Sequence, residues 1–199
     1  MRLDKVYLRG ESVELVPMDE SCTGILAEIG LYEELWKWQP VHVSSYDEME
    51  KYVLRAMNEY EDGKSLPFLI KSRKDGQIVG TTRYLDIALA HKRLEVGATW
   101  LTPNMQRTGI NTEAKYLLLE YVFEKLGMMK VVLKTEFGNS QSRTAIARIG
   151  AKQEGIFLKH FIAESGRVRD MVYFGITDED WPNVKILLRN KMKKSYLSQ

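Results

Sequence analysis

The chain has 199 residues, 44% of them hydrophobic and 28% charged, a composition that fits one compact domain burying about 70% of its unfolded surface and that excludes disorder as the main state. Twenty-nine basic residues against 27 acidic ones leave a formal charge of +2 with no long block of one sign, so a nucleic-acid partner is not implied. A single cysteine, Cys22, and three histidines, His42, His91 and His160, exclude a disulfide framework, argue against a metal site and suit a reducing cytoplasm.

The N-terminus carries charges where a secretion signal needs an apolar core. No apolar run approaches the roughly 18 residues that would span a bilayer, so neither export nor a membrane partner is expected. Residues 13–16 alternate as a half-buried strand, Pro17 stops it, and Asp19 caps a first helix. A connection rich in Trp36, Trp38, Pro40 and His42 follows, with room for one helical turn. From Ser45 the spacing of Met49, Tyr52, Val53, Ala56, Met57 and Tyr60 predicts a helix with one buried face, ended at Asp62-Gly63.

Residues 66–71 and 78–84 read as two strands joined by a turn at Asp75-Gly76, and 93–101 as a third. A helix from Thr112 turns Ala114, Leu117, Leu118, Tyr121, Val122 and Leu126 inward and ends at Gly127. Then come a strand at 130–135, a short helix at 140–149 closed by Gly150, and a hairpin of 156–162 with 168–176 around Glu164-Ser165-Gly166. Asp178 is expected to cap a last helix, whose Lys185, Arg189, Lys191, Lys193 and Lys194 read as a solvated basic face. The pattern is α+β in one domain over 1–199, with a mixed, mostly antiparallel sheet flanked by helices. Its motif-bearing core spans about 12–182, and the last helix and basic tail occupy 178–199.

The chemistry concentrates where the third strand runs through a polar loop into a helix. Gln106, Arg107, Thr108, Gly109, Ile110 and Asn111 lie at the helix N-terminus, where free amides and the helix dipole favour an anion such as phosphate. Arg107 adds a charge, and Thr108 and Thr112 add hydroxyls. The phosphate-loop pattern GxxxxGK[ST] and the dinucleotide fingerprint GxGxxG are both absent. A simple helix-cap role for the glycine is equally compatible with this local pattern.

Three spacings widen the pattern: Gln106-x-x-Gly109 after a strand, Asn139-x-x-Ser142-Arg143 opening the next helix, and Ile149-Gly150-Ala151-Lys152-x-Glu154-Gly155. In that order they resemble the GNAT superfamily of acyl-CoA-dependent N-acyltransferases. Glu95-Val96-Gly97, Asn111-Thr112-Glu113-Ala114 and Gly166-Arg167-x-x-Asp170 resemble its RimJ/RimL branch of ribosomal-protein N-acetyltransferases. The resemblance implies acetyl-CoA as co-substrate, no metal, and a GNAT-like domain. It also implies that backbone groups of Trp100, Leu101 and Thr102 meet the pantetheine arm. Arg107, Thr108, Gly109, Asn111 and Thr112 would cradle the pyrophosphate, Asn139 would bond the pantetheine, and Arg143 would reach a phosphate. Asn111 stands where Gly or Ala is common in the family, and Asn139 and Ser142 also suit simple helix capping.

For the reaction, the resemblance implies Glu95 as the base, with an ordinary solvated strand charge or a structural pairing to Arg93 or Arg83 as its alternative role. Ser142 would donate the proton to the departing thiolate, since no tyrosine lies between Ser142 and Ala151. A second carboxylate used in the ribosomal branch is missing, and Phe161 lies near its place. Trp36, Trp38, His42, Thr81, Arg83 and Tyr84 are expected at the acceptor side, with buried core as the alternative for the tryptophans. Cys22 reads as a small core residue, and His91 and His160 as surface or turn residues.

An α-amine is neutral about 14% of the time at pH 7 and a lysine amine about 0.04%. One base therefore suits a protein or peptide N-terminal α-amine. Alternatives are a small amine (polyamine, aminoglycoside or amino-acid derivative) and, in another class, a non-catalytic acyl-CoA sensor. The open edge at the last hairpin suits pairing of two copies as a homodimer.

Overall fold

The computed structural model describes residues 2–196, with side chains through 193. The chain opens with β1 (Leu8–Arg9) and β2 (Val13–Pro17), then a 3-10 turn whose Ser21 amide is accepted by the Asp19 carboxylate at 2.9 Å. Two helices, α1 (Thr23–Gly30) and the single turn α2 (Glu33–Trp36), lead to α3 (Tyr46–Glu61). Ser45 caps α3 through the Glu48 amide, and the six inward residues of α3 are the six that its spacing predicts.

β3 (Leu66–Ser72) and β4 (Ile78–Ala88) form the expected hairpin, with Gly76 at φ +74° in its turn. β5 (Arg93–Leu101) keeps its expected bounds. α4 (Ile110–Glu120) begins two residues earlier than its periodicity suggests and runs into a π turn over Tyr121–Lys125. β6 (Lys130–Glu136), α5 (Ser140–Arg148), β7 (Lys152–Ile162), β8 (Val168–Thr177) and α6 (Trp181–Tyr196) complete the chain. β7 starts four residues ahead of its predicted start because Lys152 and Gln153 already pair with β8. The expected cap at Asp178 is displaced to Asp180, whose carbonyl accepts the Val184 amide at 3.1 Å.

All strands join one sheet in the order β1-β2-β3-β4-β5-β6-β8-β7, antiparallel except where β5 meets β6. Alternation along β4 assigns the two faces. Thr81 meets Tyr52 of α3 on one face, while Thr82 and Tyr84 meet Lys115 and Leu118 of α4 on the other. α6 docks on α4, with Trp181 stacked on Phe123 at 5.4 Å. Lys185, expected to be solvated, is largely covered and tied to Glu120 and Glu124, whereas Arg189 is exposed as expected, with its Nε donating to the Tyr116 hydroxyl. The Lys194 side chain lies outside the described residues.

Glu113, in the first turn of α4, is 3% exposed. Its carboxylate accepts the amides of Glu11 and Ser12 in the β1–β2 turn. A Cβ on Gly10 would lie 2.2 Å from the Glu113 Oε1, so only glycine admits the carboxylate over that turn.

Candidate active site

β5 and β6 pair only through Arg93–Lys130, Leu94–Val131 and Glu95–Val132. Beyond that point β5 stays paired with β4 as far as Leu101, and β6 with β8 as far as Glu136. The two strands therefore part after Glu95, leaving a wedge whose β5 edge offers backbone groups without a strand partner. β5 also bulges there: Ala98 sits at φ +45° and the β4 register slips between Thr81 and Arg83. Such a conformation costs a non-glycine residue about 1–2 kcal/mol.

The Thr99 hydroxyl beside the bulge lies 2.6 Å from Lys115 Nζ, 2.8 Å from the Thr82 hydroxyl and 3.3 Å from the Gly97 carbonyl. Lys115 has no carboxylate partner among the described residues, and burial pushes its amine down to about 7.

At the open end of the wedge Arg107 adopts φ +61°. The amides of Arg107, Thr108, Gly109, Asn111 and Thr112 have no acceptor among the described residues. That cradle fits a pyrophosphate. Gly109, the N-cap, has an ordinary φ of −69°, so the left-handed position falls on Arg107 instead. The Thr108 hydroxyl, expected to face an anion, instead donates to the Met105 carbonyl at 2.7 Å and accepts the Ile110 amide at 3.3 Å. Asn111 Oδ1 and Trp100 Nε1 are buried without partners among the described residues. On β5 the Leu101 carbonyl is taken by Gln106, the Thr102 amide by Val79, and the Thr99 carbonyl by Gln39 at 3.4 Å. These contacts narrow the groups left for a pantetheine arm.

On the opposite wall Asn139 caps α5, its Oδ1 accepting the Ser142 amide at 3.0 Å. Ser142 is half-buried in the first turn. Arg143 lies over the Phe137 ring at 4.9 Å and donates to the Phe137 carbonyl at 3.3 Å, turned onto its own loop.

Glu95 stands at the vertex, 4% exposed. Its partner is neither Arg93 nor Arg83 but Lys134 of β6, at 2.6 Å, which also reaches Asp86 at 3.3 Å. Burial pushes the Glu95 carboxyl up to about 7 against the pull of Lys134. The two carboxylates hold the Lys134 ammonium above its ordinary value although burial works the other way.

Of the residues expected at the acceptor side, Trp36 is core. It is 2% exposed, donates to the Gly30 carbonyl at 2.7 Å, and packs on Tyr52 and Trp100. Tyr84 is a correction: fully buried on the α4 face, it donates to the Leu118 carbonyl at 2.8 Å, and burial holds its phenol well above the usual range. Thr81 and Arg83 are on the other face, that of α3. Trp38 lies against Gly138 with Arg167 above its ring. His42 is exposed in a shallow pocket beside Lys51, Arg55 and Glu164. Cys22 is buried as expected, its thiol pushed up to about 11 by burial. His91 is exposed in a turn, and His160 sits on β7 with Nε2 2.9 Å from the Tyr173 hydroxyl.

The spacing reading missed Glu136. Its carboxylate, 8% exposed, binds Arg169 Nε at 2.6 Å and Arg167, and Arg169 donates to the Trp38 carbonyl at 2.6 Å. Arg169 also lies over Phe161. A carboxylate thus stands on β6, although β7 has Phe161 where the family's second one was sought. Its only sequence signal is the polar alternation Lys134-x-Glu136 at the end of an apolar strand.

A sheet split at its parallel joint, with free helix amides at the mouth of the split and a buried carboxylate at its vertex, is the architecture of an N-acetyltransferase. The family model of the acetyltransferase (GNAT) domain matches residues 13–152, and the chain belongs to that family.

Among similar proteins of Bacillus subtilis (strain 168), YdaF, provisionally named a ribosomal N-acetyltransferase, is 28% identical over 56% of this chain and 60% of its own length. The uncharacterized N-acetyltransferase YnaD is 27% identical over 74% of this chain and 92% of its own length. A GCN5-related N-acetyltransferase from Brucella melitensis superposes with a TM-score of 0.88 at 25% identity, covering 96% of this chain and 87% of that one. Mycobacterium smegmatis RimJ, solved in complex with CoA-disulfide, shares the fold at TM-score 0.79 and 22% identity, covering 94% and 93%. Among the described residues no helix is long and apolar enough to cross a membrane.

Proposed function

We propose that this enzyme transfers an acetyl group from acetyl-CoA to an α-amine, that of a protein or peptide N-terminus, by direct attack in a ternary complex. The observation that carries this reading is Glu95, a buried carboxylate with its proton held to about 7, at the vertex where β5 and β6 part. A base poised near neutrality suits an amine that is itself close to neutral. Acetyl-CoA supplies the thioester carbon that the amine attacks.

The amides at Arg107–Gly109, Asn111 and Thr112 would hold the pyrophosphate, and the unpaired β5 edge would receive the pantetheine. The Asn139 carboxamide has its oxygen committed to the cap and its Nδ2 left to donate. Glu95 Oε would accept the ammonium proton directly or through a water, and Lys134 would stabilise the carboxylate when it is ionised. Ser142 would return a proton to the thiolate from the first turn of α5. YdaF carries a ribosomal name, and ribosomal-protein termini are one source of such α-amines.

The test is calorimetric titration with acetyl-CoA, then thiol release over free peptide N-termini, polyamines and aminoglycosides. Turnover on peptides supports the reading. Turnover confined to small cations favours the small-amine alternative, and binding without turnover on any amine favours a sensor. The open β7 edge, with Leu158 and Ile162 exposed, suits a homodimer that light scattering would detect.

A further inference from the structure

Arg83 is 4% exposed, and its guanidinium lies over the Tyr52 ring with Cζ 4.4 Å from the centroid. Nη1 reaches Glu59 at only 3.5 Å. Nε and Nη2 are buried and have no hydrogen-bond partner among the described residues. Buried donors left unmade cost on the order of 1–3 kcal/mol each, and more on a charged group. These two nitrogens share one edge of the guanidinium, a fork that matches two oxygens or converges on one.

Strand register sets the face on which Arg83 stands. Arg83 stands opposite Gly97, and Leu85 stands opposite Glu95. Residues directly opposite share a face, so Arg83 and Glu95 are diagonal neighbours on one face, about 7–8 Å apart at the backbone, with Gly97 between them and Leu85 Cδ1 beside it. Glu95 Oε1 leans over the gap, since a Cβ on Gly97 would lie 2.7 Å from it. An amine bound at Glu95 with its substituent directed across Gly97 would bring a group two bonds away to the side of Arg83.

We propose that Arg83 holds the α-carbonyl oxygen of the acceptor, so that the enzyme selects amines with a carbonyl or carboxylate on the adjacent carbon. The proposal rests on the α-amine reading above and adds its second anchor. Polyamines bring no oxygen for the fork, and a further cation on them would meet the charge of Arg83. The same positive charge favours the neutral, nucleophilic form of the acceptor amine.

The test is calorimetry on protein saturated with coenzyme A, which has no acetyl group to give. Alanyl-alanine amide, alanine and propylamine are titrated into the wild type, Arg83→Gln and Arg83→Lys. Both carbonyl ligands should bind the wild type about 10- to 100-fold more tightly than propylamine. The ratio should approach unity in both variants, because lysine keeps the charge without the fork. Preference for alanine over the amide assigns the site to a carboxylate, and the reverse to a peptide carbonyl.

Equal binding of propylamine, a ratio that survives in both variants, or no binding by any of the three overturns the proposal. If thermal melts show that Arg83→Gln does not fold, the wild-type ratio and Arg83→Lys still decide. Acetylation of the same amines from acetyl-CoA is scored separately. Carbonyl ligands that bind through Arg83 without being acetylated sink the α-amine reading alone. Acetylation that ignores Arg83 sinks only this proposal.

Discussion

Along β5 and the start of α4, the groups that face the wedge belong to the backbone: unpaired strand edge, free first-turn amides, and a bulge steadied by the hydroxyls of Thr82 and Thr99. Across the vertex the polar contacts are between charged side chains on separate elements, Glu95 with Lys134, Glu136 with Arg169, and Arg55 with Glu164. Backbone groups serve an invariant ligand at no cost in side-chain order, and they depend on local chain geometry. Charged pairs depend on the whole fold being in place, and a few substitutions can retune them for a different acceptor. On the proposed reading, the contrast teaches that cofactor use would be fixed locally, whereas acceptor choice would be set by long-range pairs.

Four substitutions and a pH scan can break or sharpen that contrast. Glu136→Ala strands the buried Arg169 and should lower stability by about 3–5 kcal/mol in urea unfolding; a loss under about 1 kcal/mol would show the pair to be dispensable. Glu95→Gln should lower kcat at least about 100-fold with the KM for acetyl-CoA unchanged. In the wild type the rate should rise with pH through about 7 as Glu95 ionises, and in the variant that step should vanish, leaving only the rise from the acceptor amine's own deprotonation at about 7.8.

Lys115 titrates near 7 in the fold against an ordinary 10.5, so between those values the unfolded chain binds the extra proton and stability rises with pH. Lys115→Met should abolish that slope and raise stability at pH 7 by about 1–3 kcal/mol, read by melts at several pH values. Smallest is Glu164→Ala, which removes a half-exposed pair with Arg55 and should change stability by less than about 0.5 kcal/mol. Its effect should fall on the KM of the acceptor and leave that of acetyl-CoA alone.

Most elements were legible from spacing, since the buried face of α3 and the bounds of β5 follow from periodicity alone. The free amides before α4 were legible as well, because a polar loop entering a helix leaves them by geometry. The wedge was not, since it arises from where pairing between β5 and β6 stops, and neither strand records that in its own residues. Nor were Lys134 and Glu136 legible as site residues, because their partners lie 39 and 33 positions away, at Glu95 and Arg169. Tyr84 does not join Thr81 and Arg83 at the acceptor side, because the alternation of β4, itself legible in the sequence, turns it to the opposite face.

The Glu113 clasp on the β1–β2 turn gives the N-terminal hairpin a mechanical role. The first turn of α4 is tethered to residues 11 and 12 by two amides on one carboxylate, over a Gly10 with no room for a side chain. A fusion partner that pulls on this hairpin therefore pulls on the polar loop that leads into α4. Affinity tags placed there should be judged by cofactor affinity before any acceptor screen is read.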